Sequence, residues 1–81
     1  MTNEDRLKGA FMRAFDLPST TRFEELKYQH LHAWDSVAHM MLIAELESEF
    51  DVMFSTEDVI ALGSFTKARE LLSKGGVDFG A

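Results

Sequence analysis

The segment Trp34-Asp35-Ser36-Val37-Ala38-His39-Met40-Met41-Leu42-Ile43-Ala44-Glu45-Leu46-Glu47-Ser48-Glu49-Phe50 determines the fold this chain can adopt. Its spacing predicts an amphipathic helix from Ser36 to Phe50, opening where a less regular stretch ends. The helix carries acids and neither Lys nor Arg. At ~100° per residue its apolar positions fall into two arcs. Leu42, Ile43, Leu46 and Phe50 share one, while Val37, Met40, Met41 and Ala44 share the other. Glu45 and Glu49 separate the arcs on one side and Glu47 on the other. A helix of a small bundle buries one stripe, and the first arc holds the Phe and most of the branched aliphatics. The second arc is then displayed beside Ser36, and its methionines are adaptable contact residues. A serine at such a junction is exposed. The unpaired N–H groups and positive dipole end of a first helical turn suit a phosphate attached there.

Outward from this helix the pattern stays helical. Leu7, Ala10, Phe11, Ala14 and Phe15 repeat at helical spacing, with Thr2 or Asn3 as cap and Asp5 completing a Thr-x-x-Asp box. A first helix over Asn3–Phe15 follows, ended by Leu17-Pro18. Between Asp16 and Asp35 there is no sustained periodicity. Phe23, Leu26 and Leu31 are expected to pin this connection, and Glu24-Glu25-Leu26 to form a short helical turn. About twenty residues is long for such a connection, which suggests a functional or partly structured segment. Phe54 to Gly63 reads as a short helix capped by Ser55 and stopped by Gly63. Ser64 caps a last helix with Phe65, Ala68, Leu71 and Leu72 inward, ended at Gly75. The fold class is all-α: a small bundle of three main helices and one short helix. Residues 1–75 form a single domain and 76–81 a disordered tail.

At 81 residues, 46% of them hydrophobic and seven of them Phe, the chain supports one small core. With no cysteine, disulfides and thiolate metal sites are excluded. No apolar run reaches the ~20 residues a membrane span needs, and no charged-then-apolar signal segment opens the chain, so a soluble cytoplasmic protein is expected; a monomer is expected as well. The net charge is −6. Between Lys27 and Lys67 stand Asp35, Glu45, Glu47, Glu49, Asp51, Glu57 and Asp58 without one Lys or Arg. That field disfavours nucleic acid and anionic membranes and favours basic protein patches; a purely solubilising acidic face is the plainer reading of the same charges.

Asp-Ser at a helix start is a weak motif alone. Here an acidic helix ending in Glu45-Leu46-Glu47-Ser48-Glu49-Phe50 follows it. The pattern runs on through Asp51-Val52-Met53-Phe54-Ser55 into the short acidic helix and then to Ser64-Phe65-Thr66-Lys67-Ala68. Over nearly its whole length the chain resembles the acyl carrier protein family. The resemblance implies that Ser36 carries 4′-phosphopantetheine, attached from coenzyme A by a phosphopantetheinyl transferase. The thiol of that arm holds an acyl group as a thioester for enzymes of fatty-acid, other lipid, polyketide or specialised acyl metabolism. No residue of the carrier is then catalytic and none is a resident metal ligand. Asp35 caps the helix and, by resemblance, lies near the metal used in transfer. Partners would be an acyl ligase, acyltransferase or ketosynthase with a basic docking patch. They would read Val37, Met40, Met41, Ala44, Glu45, Glu47 and Glu49, with Glu57 and Asp58 as further acids. A long acyl chain would enter between the second and third helices near Ile43, Leu46, Ile60 and Phe65.

The chain departs from the common fatty-acid pattern, which places acids early in this helix. Here those positions are Ala38, His39, Met40 and Met41, Val37 replaces a more usual Leu or Met, and Trp34 replaces a small residue. These departures favour a specialised free-standing carrier. An aminoacyl or peptidyl carrier, or a helical protein-binding module without a prosthetic group, remains as an alternative. A serine hydrolase pairing Ser36 with His39 lacks the G-x-S-x-G elbow and an acid to orient the imidazole. His30-x-His32 with Asp35 is weak evidence for a metal.

Overall fold

Four polar side chains set where helices begin in the computed structural model, which describes residues 2–28 and 33–80. Thr2 opens α1 (Asn3–Phe15) in a capping box with Asp5. Asp35 opens α2 (Ser36–Phe50) by accepting from the Ala38 N–H at 2.9 Å. Ser55 opens the short α3 (Thr56–Ala61) in a box with Asp58, and Ser64 opens α4 (Phe65–Lys74) by accepting from the Lys67 N–H. Each cap satisfies an N–H that has no partner within its own helix. Among the described residues the fold is the all-α bundle of three main helices and one short one.

The stops are less obvious in the sequence. Both α1 and α2 end at a left-handed aspartate, Asp16 at φ 55° and Asp51 at φ 52°, which returns its N–H to the preceding turn. The first helix therefore stops at Asp16, before Leu17-Pro18 is reached.

The core gathers Leu7, Ala10, Phe11 and Phe15 of α1, Leu42, Ile43 and Leu46 of α2, and Phe65, Ala68, Leu71 and Leu72 of α4. Leu62 joins them from the end of α3. Each fully buried large apolar side chain contributes about 1.5–3 kcal/mol. Phe11 lies at the centre, its ring 5.1–5.8 Å from those of Phe15, Trp34 and Phe65. Of the two arcs of α2, the first faces this core and the second is exposed: Val37 is 70%, Met40 55% and Met41 53% accessible. Phe50, at the end of the buried arc, is only partly covered.

The long connection is tied down as expected by Phe23 and Leu26, both buried, with a 3₁₀ turn at Phe23–Glu25. Backbone bonds add to this: the Tyr28 N–H donates to the Gly63 carbonyl (2.8 Å) and the Phe65 N–H to that of Leu26 (3.2 Å). The connection is thus laid along the start of α4. Leu31 lies outside the described residues.

The tail differs from its expectation. Residues 76–80 are folded back: the Val77 N–H donates to the Leu72 carbonyl, Asn3 donates to the Asp78 carbonyl at 2.8 Å, and the Phe79 ring sits 6.2 Å from that of Phe50. The physical reason is apolar cover: Phe79 lies against Phe50 at the partly open end of α2, and Val77 packs on the core. Among the described residues no helix is long and apolar enough to cross a membrane.

Candidate functional site at the start of the second helix

Ser36 is the first residue of α2, and its side chain is exposed, as are Asp35 and Val37 on either side. Asp35 is occupied by the Ala38 N–H, and the Asp35 carbonyl accepts from the His39 N–H at 2.8 Å. The amides of Ser36 and Val37 lie in the turn that has no intrahelical acceptors. A hydroxyl at this place has open solvent in front of it and the positive end of a four-turn helix behind it.

Behind the exposed serine the structure is unexpectedly solid. Trp34, two residues earlier, is 1% accessible and packs on Phe11, Phe15 and Tyr28 at 5.6, 4.9 and 6.2 Å between ring centres. Its indole Nε1–H donates to Nδ1 of His39 at 3.0 Å. The other His39 nitrogen, Nε2, meets the Val59 carbonyl of α3 at 2.8 Å. An indole N–H can only donate, so Nδ1 is the acceptor, and Nε2 carries the hydrogen given to Val59. Both imidazole nitrogens are engaged away from Ser36. The pairing of Ser36 with His39 as nucleophile and base is not formed.

His39 and Trp34 were not recognised in the sequence as parts of one unit. The signal was present: His39 precedes Leu42, Ile43 and Leu46 by three, four and seven residues, in the middle of the buried stripe. A histidine there needs partners for both nitrogens, and a buried indole needs an acceptor.

The acids expected to face a partner are placed differently from one another. Glu45 pairs with Arg13 at 2.8 Å, and Glu49 bridges Arg6 (2.8 Å) and Arg13 (3.1 Å) of α1. The Arg6 guanidinium also donates to the Glu49 carbonyl. Glu47 accepts from the Phe54 N–H at 2.9 Å and so fixes the turn into α3. The hydrogen bond from Arg6, helped by Arg13, holds the Glu49 carboxyl below the usual carboxylate range despite the opposing effect of burial. Thus the three glutamates of α2 are used within the chain, half-buried between helices. Glu57 remains exposed, while Asp58 closes the cap of α3. The face beside Ser36 is apolar: Val37, Met40, Met41 and Ala44, at i, i+3, i+4 and i+7, are all exposed.

Of the expected acyl-chain lining, Ile43, Leu46 and Phe65 are packed in the core, and Ile60 is exposed. The space beside α2 and α3 is instead an open groove of about 440 Å³ lined by Tyr28, His39, Val59, Ile60, Leu62 and Gly63. Among the described residues no cluster of His, Asp and Glu is placed to hold a metal ion, and His30 and His32 lie outside them. No family model, curated protein or solved structure matches the chain.

Proposed function

We propose that this chain is an acyl carrier protein that bears 4′-phosphopantetheine on Ser36. The observation that carries the reading is Ser36 itself: an exposed hydroxyl at the first position of α2, beside the Asp35 cap. Loading requires the Ser36 oxygen to attack the phosphate of coenzyme A nearer the pantetheine. Its proton is lost, and the bond to the adenosine bisphosphate leaving group breaks. The residues fit that arm. Nothing bulky among the described neighbours closes over Ser36, and the amides at the helix start complement a phosphodiester. When bound, the arm supplies a thiol that holds an acyl group as a thioester. This chain's own residues supply the attachment point and the face that partners read.

That face is the Val37–Met40–Met41–Ala44 arc rather than the α2 carboxylates, because Glu45, Glu47 and Glu49 already serve Arg13, the Phe54 amide and Arg6. The partners proposed are the loading transferase and an acyl ligase, acyltransferase or ketosynthase that offers an apolar contact surface. The same exposed arc also favours a second reading, a helical docking module without a prosthetic group. An aminoacyl or peptidyl carrier differs only in the cargo.

The deciding experiment is the intact mass of the protein after incubation with coenzyme A, magnesium and a broad-specificity phosphopantetheinyl transferase, beside Ser36→Ala. One phosphopantetheinyl gain in the wild type and none in the variant is the expected result. A folded wild type that gains nothing leaves the docking module as the function.

A further inference from the structure

We propose that His39 is a positioning residue for Ser36, a latch that joins the segment before the serine, the first turn of α2 and α3 into one unit. The proposal rests on the carrier reading of Ser36 but concerns residues which that reading leaves without a role. Its basis is the relay Trp34 Nε1–H to His39 Nδ1 (3.0 Å) and His39 Nε2–H to the Val59 carbonyl (2.8 Å).

Three features give the relay more than a packing role. It closes across Ser36, since its first two members stand two residues before and three residues after the serine. The Asp35 cap and the His39 N–H to Asp35 carbonyl bond tie the same turn through the backbone. Any slip of Trp34 therefore moves the residues on both sides of Ser36.

The relay also supplies a specific polar anchor for a short helix whose other ties include the Leu62 side chain, the partly buried Val59 and the Glu47 bond to the Phe54 N–H. α3 is six residues long and buries none of them; below it, only Leu62 at its C-terminal cap is fully buried. A six-residue helix has no stability of its own. The His39 ring reaches α3 at the Val59 carbonyl, and its flank meets the Tyr28 ring edge-on at 5.4 Å. α3 is thereby seated beside the groove and the displayed arc.

The relay has a defined direction as well. Trp34 can only donate, so it holds the imidazole in the one neutral tautomer whose Nε2–H points to α3. Replacing Trp34 removes that constraint even though Trp34 is not itself the residue bonded to Val59. The structure thus couples the segment before Ser36 to α3 through one side chain.

A transferase that must engage Ser36 together with the adjoining faces of α2 and α3 meets one arrangement when the relay is closed and several when it is open. Opening it lowers the binding-competent fraction, which raises KM and leaves kcat for the bound complex in place.

The test compares loading kinetics, imidazole ¹⁵N shifts and amide exchange in the wild type, His39→Phe, His39→Gln, Trp34→Phe and the double variant Trp34→Phe/His39→Phe. In the wild type the His39 signals should be those of the Nε2–H tautomer alone, with a slowly exchanging Trp34 indole proton. His39→Phe should raise KM for loading about fivefold, the equivalent of one neutral hydrogen bond, with kcat little changed. His39→Gln, which retains an acceptor and a donor, should recover most of that loss. Trp34→Phe should raise KM similarly and speed amide exchange at His39 and Leu62 together, and the double variant should be no worse than the single ones. A mixed tautomer in the wild type, additive effects in the double variant, or α3 exchange untouched by Trp34→Phe would each overturn the latch. So would variants that lower thermal stability while KM stays at the wild-type value. Failure of the wild type to be loaded counts against the carrier reading alone, because the tautomer and exchange measurements judge the latch without it.

Discussion

The two ends of α2 are held by different physics. At the N-terminal end, Trp34 and His39 are buried among aromatic rings and joined by hydrogen bonds, and among the described residues no ion pair is involved. At the C-terminal end, Glu45 and Glu49 are half-exposed and paired with Arg6 and Arg13 of α1. Burial of this kind is not weakened by charge screening, whereas partly exposed pairs are. The serine therefore stands at the end that relies less on ion pairs. Glu45 and Glu49, expected on the docking surface, also pair α2 with α1.

The contrast is broken most severely by Trp34→Ala. Removing a fully buried indole from contact with Phe11, Phe15 and His39 should cost about 3–5 kcal/mol. It also leaves Nδ1 of His39 without its donor. Urea unfolding followed by far-UV circular dichroism measures this. A loss below about 1 kcal/mol would mean that the aromatic cluster is not what holds this end. Next in size is Asp35→Ala, which frees the Ala38 N–H and should cost about 1 kcal/mol, while Asp35→Asn retains an acceptor and should recover most of it. Equal losses in the two variants would show that the cap bond contributes little.

Smaller again is the effect of Glu49→Gln at the charged end. Its two pairs are partly exposed, so the expected loss is under about 1 kcal/mol at low salt, fading near ~1 M salt where the screening length is ~3 Å. The pH dependence has a definite sign. The Glu49 carboxyl is held low in the folded chain, first by its hydrogen bond from Arg6. Its contribution is therefore present above the unfolded carboxylate value of about 4.3 and disappears as pH falls through the lower folded value. The stability gap between wild type and Glu49→Gln should be full at neutral pH and shrink as pH falls below about 4.3 and the carboxyl becomes fully protonated. A gap that persists there would assign the effect to packing rather than charge.

Much of this architecture was legible in the sequence because it depends on local signals. Thr2, Asp35, Ser55 and Ser64 mark the starts of four helices, and the buried arc of α2 follows from a 3.6-residue period. The exposed arc followed from the same wheel. What could not be read were interactions between distant segments. Arg6 and Arg13 stand more than thirty residues from the glutamates they bind, so the acids of α2 read as unpaired. Trp34 stood out only as a departure from a small residue, since its burial depends on how α1 lies across the connection. His39 is hidden for a different reason. Its residue type does not mark it as part of the apolar stripe, although a histidine with two partners packs in a core as an apolar residue does. The tail followed the same logic: Gly75-Gly76 suggests an end, but Phe79 finds the uncovered side of Phe50 and Val77 packs on the core.

The finest probe of the contrast is Met41→Glu, because it adds a charge near the neutral end without touching what holds it. Met41 is exposed and belongs neither to the core nor to the Trp34–His39 relay. Stability should stay within about 0.5 kcal/mol of wild type, and transfer is measured on carrier loaded to completion so that any change in loading rate does not enter. Transfer of cargo to a partner that packs against the apolar arc should fall about tenfold or more, since a buried unpaired carboxylate costs at least the 1.4 kcal/mol that this factor represents. Glu45→Gln supplies the control at the opposite flank. If docking reads the arc, Met41→Glu is the damaging change and Glu45→Gln costs only its pair with Arg13. If docking reads charge, the order reverses, and a basic partner loses more from Glu45→Gln. Loss of folding in Met41→Glu would mean that the second arc is not a free surface, and the face proposed for partners would have to be sought elsewhere on the bundle.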